Sequence, residues 1–154
     1  MQFKALAPTL ALALTALLCP AAWAQEVQVQ NAWVRATVPG QKATGAFMGL
    51  LSAKGLRLKS VTTPVAGLAQ VHEMHLEGNI MRMHAMENGL ELPAGTLVEL
   101  KPGGYHLMLM DLKAPLPKDS NIELTLVFVD AKGVEIRREL TLPVRTQPPT
   151  ATAP

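Results

Sequence analysis

Residues 71–110 read VHEMHLEGNIMRMHAMENGLELPAGTLVELKPGGYHLMLM, and the rest of the chain is organised around this stretch. Its apolar residues occur in short runs separated by Gly and Pro, a pattern typical of β-strands joined by tight turns. Gly78-Asn79 predicts a two-residue hairpin turn. Residues 101–104 predict a second tight turn, which leads into a strand over residues 105–110.

The remaining chain also reads as short strands. The candidate strands are residues 27–30, 33–37, 44–51, 56–60, 96–100, 121–129 and 134–144, and predicted turns include residues 91–95 and 130–133. Gly and Pro separate these runs at intervals of about 8–12 residues, which favours an antiparallel sandwich or barrel. No amphipathic helix of about 10 residues or more is predicted. The sequence therefore predicts a single all-β domain with a mostly aliphatic core.

Residues 1–24 have the pattern of a cleaved signal peptide. Lys4 precedes an apolar run over residues 5–18, and Ala22-Trp23-Ala24 is a small-x-small cleavage site. The run is shorter than the roughly 20 residues that a membrane-spanning helix needs. We therefore expect cleavage after Ala24, export to the periplasm and no membrane insertion of the mature protein.

The predicted cleavage leaves two segments. Residues 25–145 are the expected β domain, and residues 146–154 (TQPPTATAP) are a predicted disordered tail without core residues. The one cysteine, Cys19, leaves with the signal peptide, and the bulky Leu18 before it departs from a lipid-attachment motif. The mature chain then has no thiol for a disulfide, a nucleophile or a blue-copper site. The chain also lacks the basic block that marks a nucleic-acid-binding protein.

Histidine and methionine are concentrated in the central stretch. All four histidines lie in it, as do six of the eight methionines. In a strand from Tyr105, side chains alternate between faces, so His106 and Met108 share one face. In the predicted hairpin, Met83 opposes Met74 and lies diagonal to His72 on one face. Imidazole and thioether donors without cysteine suit monovalent copper.

The alternatives to a metal site are ordinary structural roles. A single histidine in a strand is often a surface or core residue, and methionines can simply fill a core. On the predicted register His75 and His84 lie on the opposite face of the hairpin, where they are candidates for secondary metal contacts at most. Spacing alone leaves open a metal-free binding domain or a general copper-storage or copper-tolerance protein. No constellation of a hydrolytic or redox enzyme is evident.

The pattern His-x10-Met-x22-His-x-Met resembles the periplasmic copper chaperone PCu(A)C family. The matching residues are His72, Met83, His106 and Met108, and the segments VHEM, MRM and LKPGGYHLMLMDLK are also similar. The second interval is one residue longer than in the usual motif. The resemblance spans roughly residues 32–144.

This resemblance implies a fold, a cargo and partners. The fold would be a cupredoxin-like Greek-key β-sandwich or barrel with an exposed Cu(I) site near one end. The activity would be non-enzymatic delivery of copper to the CuA centre in subunit II of cytochrome c oxidase, directly or through a Sco-type thiol protein. We expect a monomer, with Met74 as a candidate secondary ligand. The tail has no His or Met, so the second copper site that some members carry there is not expected.

Overall fold

The computed structural model describes residues 26–150, and within this range it contains ten β-strands and no helix. In chain order the strands are β1 (Val27–Arg35), β2 (Ala43–Ser52), β3 (Leu56–Thr62), β4 (Ala66–Glu77), β5 (Ile80–Ala85), β6 (Leu90–Leu92), β7 (Leu97–Leu100), β8 (Tyr105–Leu112), β9 (Asn121–Val129) and β10 (Glu135–Arg145). The predicted signal peptide with Cys19, and residues 151–154 of the predicted tail, lie outside the described residues. No membrane-spanning helix is found in the described range.

The strands form one continuous sheet in the order β5-β4-β8-β7-β2-β1-β10-β9-β3-β6. Most neighbours are antiparallel, with parallel pairing between β1 and β10 and between β7 and β8. Strand β10 pairs with β1 on one side and with β9 on the other, so it joins the two halves of the sheet. The prediction of an all-β fold with mainly antiparallel strands is confirmed.

One aliphatic core holds the two halves together. Leu107 and Leu109 of one half belong to the same buried cluster as Leu124 and Phe128 of the other, and all four are 0–1% exposed. Each occupies an alternate position of its strand, so one face of every strand points inward. Full burial of such a side chain stabilises the fold by about 1.5–3 kcal/mol. The opposite face of β8 is thereby left free to carry a site.

The first strand differs from its prediction. Residues 27–30 and 33–37 were expected to be two strands, but they form the single strand β1. The register with β2 shifts between Gln30 and Trp33, and Asn31 has a left-handed φ of 50°. This bulge inserts residues that reverse the alternation, so Val27 and Val34 are both fully buried. Trp33, next to Val34, is therefore turned to the outer face of the sheet.

The predicted turn over residues 91–95 was placed too early. Leu90–Leu92 forms the short strand β6, which pairs with Leu56–Leu58 of β3. Both leucines of β6 are almost fully buried. A run of three residues is too short for its periodicity to indicate a strand. This strand forms because residues 90–92 pair with β3, a contact between distant segments that the local sequence does not report.

Candidate metal centre

The β4–β5 hairpin brings the first two predicted ligands to one face. Met74 pairs with Met83 and His72 pairs with Ala85, so the predicted register is confirmed. Gly78 in the turn has a φ of 62°, a conformation that glycine adopts without steric cost. A slip by one residue would move every donor of β5 to the other face. The two-residue turn thus determines which thioether can reach His72.

Strand β8 brings the other two predicted ligands alongside. His106 pairs directly with His72, and Met108 pairs with Gln70 two residues earlier in β4. The intervening residue, Leu107, is fully buried in the core. The predicted alternation of β8 is therefore confirmed, with His106 and Met108 on the outer face.

A cavity of about 300 Å³ opens on this outer face. Its lining residues are Arg35, Gln41, Ala43, Thr44, Gly45, Phe47, Met74, Met83, Pro102, Gly103, His106 and Met108. Three of the four predicted ligands line it directly, and so does Met74, which was predicted only as a secondary ligand. The fourth, His72, is not among the lining residues; it is the cross-strand partner of His106, with 5.9 Å between the two ring centroids.

The tight turn before β8 orients His106. Nδ1 of His106 lies 3.1 Å from the carbonyl oxygen of Gly104 and donates to it, since a carbonyl can only accept. This hydrogen bond places the ring proton on Nδ1 and leaves the lone pair of Nε2 free. Metal-binding histidines are commonly held in this way by a backbone carbonyl. The same carbonyl also accepts from the backbone N–H of Met74, which ties the turn to β4.

His72 contains a buried polar atom without a partner. Its side chain is 9% exposed, and its Nε2 lies 3.3 Å from Oε1 of Gln70, so Nε2–H is the donor. Nδ1 is then the free acceptor, and among the described residues no group donates to it. A buried, unsatisfied acceptor costs about 1–3 kcal/mol. A metal ion bound to Nδ1 would remove that cost, so the residue fits a ligand role.

A row of rings crosses the outer face beside the donors. The centroid distances are 4.8 Å from Trp33 to Phe47 and 6.5 Å from Phe47 to His106. The guanidinium carbon of Arg35 lies 5.5 Å from the centroid of Phe47 and covers the ring. Trp33, Phe47 and His106 are each at most 5% exposed, although they lie outside the main core cluster. The row thus packs against one side of His106 and shields its ring from solvent.

The thioethers are less enclosed than the imidazoles. Met83 is 46% exposed on β5, the edge strand of the sheet, while Met74 and Met108 are half-buried. Three other methionines differ in burial: Met48 is buried in the core, Met86 packs against the core, and Met81 is exposed. The site thus combines two fixed nitrogen donors with at least one accessible sulfur donor.

Burial and charge act on the protonation of His72. Its pKa is lowered from the ordinary value of 6.5, first by burial and then by the neighbouring His106. Both effects disfavour the imidazolium form. The folded protein therefore keeps a free nitrogen lone pair on His72 at a pH where an exposed histidine is already protonated.

The lowered pKa of His72 predicts a pH dependence of stability. Well above pH 6.5 the side chain is neutral in both the folded and the unfolded state and contributes no pH dependence. As pH falls below 6.5, the unfolded chain takes up a proton that the folded protein resists, so this contribution to the free energy of unfolding declines. We expect His72 ring signals in NMR spectra of the apo-protein to titrate below pH 6.5. A midpoint at or above 6.5 would contradict the burial of this ring.

Comparison with known proteins places the chain in a family. A family described as "Putative lipoprotein LpqE-like" matches residues 27–140, which is most of the chain. A relative from Leifsonia xyli subsp. xyli (strain CTCB07), named "Putative lipoprotein Lxx21020", is 35% identical over 111 residues. This alignment covers 72% of the chain and 67% of the relative. The chain belongs to the LpqE-like family.

Solved structures similar to this LpqE-like protein include PCuAC domains and Cu(I)-bound DR1885. The copper-bound PCuAC domain from PmoF2 has a TM-score of 0.61 and 22% identity, covering 79% of this chain and 94% of the domain. Cu(I)-bound DR1885 from Deinococcus radiodurans has a TM-score of 0.59 and 29% identity, covering 82% and 84%. The predicted cupredoxin-like fold and the resemblance to the PCu(A)C family are confirmed.

Proposed function

We propose that this protein is a copper chaperone that binds one Cu(I) ion through His72, Met83, His106 and Met108. One observation carries the proposal. His72 has a free lone pair on Nδ1 and His106 has one on Nε2, and both rings lie beside the thioethers that line one open cavity. Two nitrogen and two thioether donors match the preference of Cu(I) for soft and borderline ligands. The similarity to Cu(I)-bound DR1885 supports the same cargo.

The geometry supports capture followed by handover. The two imidazoles are buried and held by hydrogen bonds, so they present nitrogen donors to the ion in fixed positions. Met83 lies on an exposed edge strand, where a partner can approach its sulfur directly. A neutral thioether is displaced by an incoming thiolate more readily than an anchored imidazole. We therefore propose that Met83 is the first ligand to leave when copper is transferred.

The proposed recipient is a centre that offers thiolate and imidazole ligands. We propose the CuA centre of cytochrome c oxidase subunit II, reached directly or through a Sco-type thiol protein. Thioethers do not form disulfides, so this site stays competent in an oxidising compartment. The proposed activity is that a monomer binds copper and transfers it, without catalysing a reaction.

The proposed location is the periplasmic side of the inner membrane. The signal-like residues 1–24 support export, and the names of the family and of its relative refer to lipoproteins. Cleavage after Ala24 would release the β domain, whereas lipid attachment at Cys19 would tether it. Both routes place the copper site on the same side of the membrane, so the proposed function is the same in either case.

Transfer is tested by mixing Cu(I)-loaded protein with a soluble CuA domain, alone and with a Sco-type protein, under anaerobic conditions. We expect copper to move from the LpqE-like protein to the acceptor in at least one mixture. The absorption bands of the mixed-valence CuA centre should then appear once the separated acceptor is oxidised by one electron with ferricyanide. The apo-protein with the same acceptors is the control. Retention of Cu(I) in both mixtures, with the acceptors competent for free Cu(I), would contradict a chaperone role and favour copper storage.

A further inference from the structure

Among the described residues that line the cavity, Arg35 is the one with a permanently charged side chain. The other lining groups are neutral when they bind Cu(I), and they include the proposed donors Met83, His106 and Met108. A cavity of about 300 Å³ spans roughly 8 Å, which is about one Debye length at physiological salt, so salt screens a charge in its wall only in part. The bound ion would therefore add its positive charge to that of Arg35.

Contacts of both its backbone and its side chain hold Arg35 at the cavity. Its carbonyl oxygen accepts a hydrogen bond from Oγ1 of Thr44, with 2.8 Å between the two oxygens. Its guanidinium carbon lies 5.5 Å from the ring centroid of Phe47, a distance typical of a cation–π contact. Phe47 packs in turn against His106. The exposed guanidinium is thus kept beside the copper site.

A second arginine lies next to the first. The parallel register of β1 and β10 pairs Arg35 with Arg145, and neighbouring strands lie about 4.8 Å apart. The preceding residues, Val34 and Val144, are both fully buried, so the two arginines point to the outer face. Like charges opposed on neighbouring strands are destabilising. An anion bound at this pair would remove that repulsion.

Neither arginine has a carboxylate partner within residues 26–150. Every ion pair found in that range joins other residues. Lys101 precedes the lining residue Pro102, but it is neutralised by Glu99, with 3.1 Å between Nζ and Oε2. The uncompensated positive charge at the cavity therefore lies at the arginine pair, and loading with Cu(I) would increase it.

We propose that Arg35, assisted by Arg145, docks an acidic side chain of the copper acceptor beside the Cu(I) site. This inference rests on the proposed chaperone function and adds the charge of the partner. A guanidinium binds a carboxylate through two parallel hydrogen bonds, which orient the partner as well as attract it. Such attraction speeds association and is weakened by salt.

The docked carboxylate places the acceptor for ligand exchange. Met83, the ligand proposed to leave first, lines the same cavity as Arg35. A thiolate next to the bound carboxylate is thereby brought towards the ion. The bond from copper to the Met83 sulfur breaks as the bond to the thiolate forms, and copper stays monovalent throughout.

The test measures how fast small thiols remove Cu(I) from the loaded protein under anaerobic conditions. The thiols are 3-mercaptopropionate with a carboxylate, 2-mercaptoethanol with a hydroxyl and cysteamine with an ammonium group. Each rate for a variant is divided by the wild-type rate with the same thiol, which cancels the reactivity of the thiol. A change in Cu(I) affinity acts on all three thiols alike, so differences between the thiols report the effect of charge.

We expect Arg35→Gln to slow removal by 3-mercaptopropionate about threefold relative to 2-mercaptoethanol, which is within the range of an exposed ion pair. Removal by cysteamine should become faster on the same scale. Both differences should shrink at high salt. Arg145→Gln should act in the same direction with a smaller effect, because Arg145 is not among the residues that line the cavity.

Two further variants separate charge from packing. Arg35→Lys keeps the charge and should keep most of the preference for the anionic thiol. Arg57→Gln removes an exposed arginine from the other half of the sheet, where it pairs with Glu91 at 3.8 Å, and should keep the whole preference. Equal losses in Arg35→Lys and Arg35→Gln would assign Arg35 to packing on Phe47 and overturn the proposal. Equal effects of Arg35→Gln and Arg57→Gln would overturn it as well.

The docking assignment and the chaperone function give different results when they fail. Retention of Cu(I) by the wild-type protein against the CuA domain and the Sco-type protein contradicts the chaperone function. Transfer to those acceptors, together with thiol rates that show no dependence on Arg35, contradicts the docking assignment alone.

Discussion

Replacement of His106 by Ala is expected to lower the affinity for Cu(I) by about 100-fold or more. Removal of a group that only hydrogen-bonds to a metal ligand already lowers metal affinity by about 10–100-fold, and His106 is proposed to be a ligand itself. The reason is the orientation of the ring. The Gly104 carbonyl fixes the proton on Nδ1, so Nε2 is a preorganised donor at the cavity. The variant should still fold, because His106 lies outside the main core cluster. Anaerobic competition with a chromogenic Cu(I) chelator measures the loss.

Two matched pairs of variants test whether the loss of Cu(I) affinity is specific to the proposed ligands. His84→Ala removes an imidazole from the other face of the hairpin and should leave the Cu(I) affinity within about twofold, because it removes no proposed ligand of that site. Met83→Leu removes a proposed ligand, whereas Met81→Leu changes an equally exposed methionine two residues away on the same face. Leu and Met have similar volumes, so packing changes little. Equal affinities of His106→Ala and His84→Ala would refute the assignment.

Replacement of Leu107 by Ala is expected to destabilise the protein by about 2–5 kcal/mol, the usual cost of a cavity in a packed core. Leu107 is 0% exposed and lies between two proposed ligands in the same strand. Its effect should be on folding, whereas the effect of His106 should be on copper. Denaturant unfolding of the apo-protein, followed by the fluorescence of Trp33, measures the free energy of unfolding.

The control for Leu107 is another leucine of the same half of the sheet. Leu76 is 57% exposed near the tip of the hairpin, and Leu76→Ala should change the free energy of unfolding by about 0.5 kcal/mol or less. If Leu107→Ala lowers the free energy of unfolding no more than Leu76→Ala does, the inward face of β8 has been assigned incorrectly. The faces proposed for His106 and Met108 would then be wrong as well.

The placement of the proposed donors was largely predictable because the elements that carry them are local. Alternation along residues 105–110 is sufficient to separate His106 and Met108 from the core leucines. The two-residue turn at Gly78 fixes the register of the hairpin, and hence the pairing of Met74 with Met83. Both inferences use neighbours within a few residues, where the period of a strand is a reliable guide.

The remaining features depend on contacts between distant segments. The bulge at Asn31 reverses the alternation of β1 and directs Trp33 onto Phe47, yet the local sequence contains no signal that specifies a bulge there. The free Nδ1 of His72 arises from burial beside β8, which no spacing rule reports. The opening over Met74 likewise depends on β2 and the Pro102–Gly103 turn together. These details follow from packing rather than from periodicity.

The coordination of Cu(I) is tested most directly by an anaerobic titration of the apo-protein with Cu(I), combined with X-ray absorption at the copper edge. We expect one tightly bound Cu(I) per chain, coordinated by two nitrogen and two sulfur atoms, as the pairing of His72 with His106 beside the thioethers predicts. The sulfur contribution should disappear in the double variant Met83→Leu/Met108→Leu. Tight binding with only nitrogen and oxygen ligands, or no binding, would contradict it.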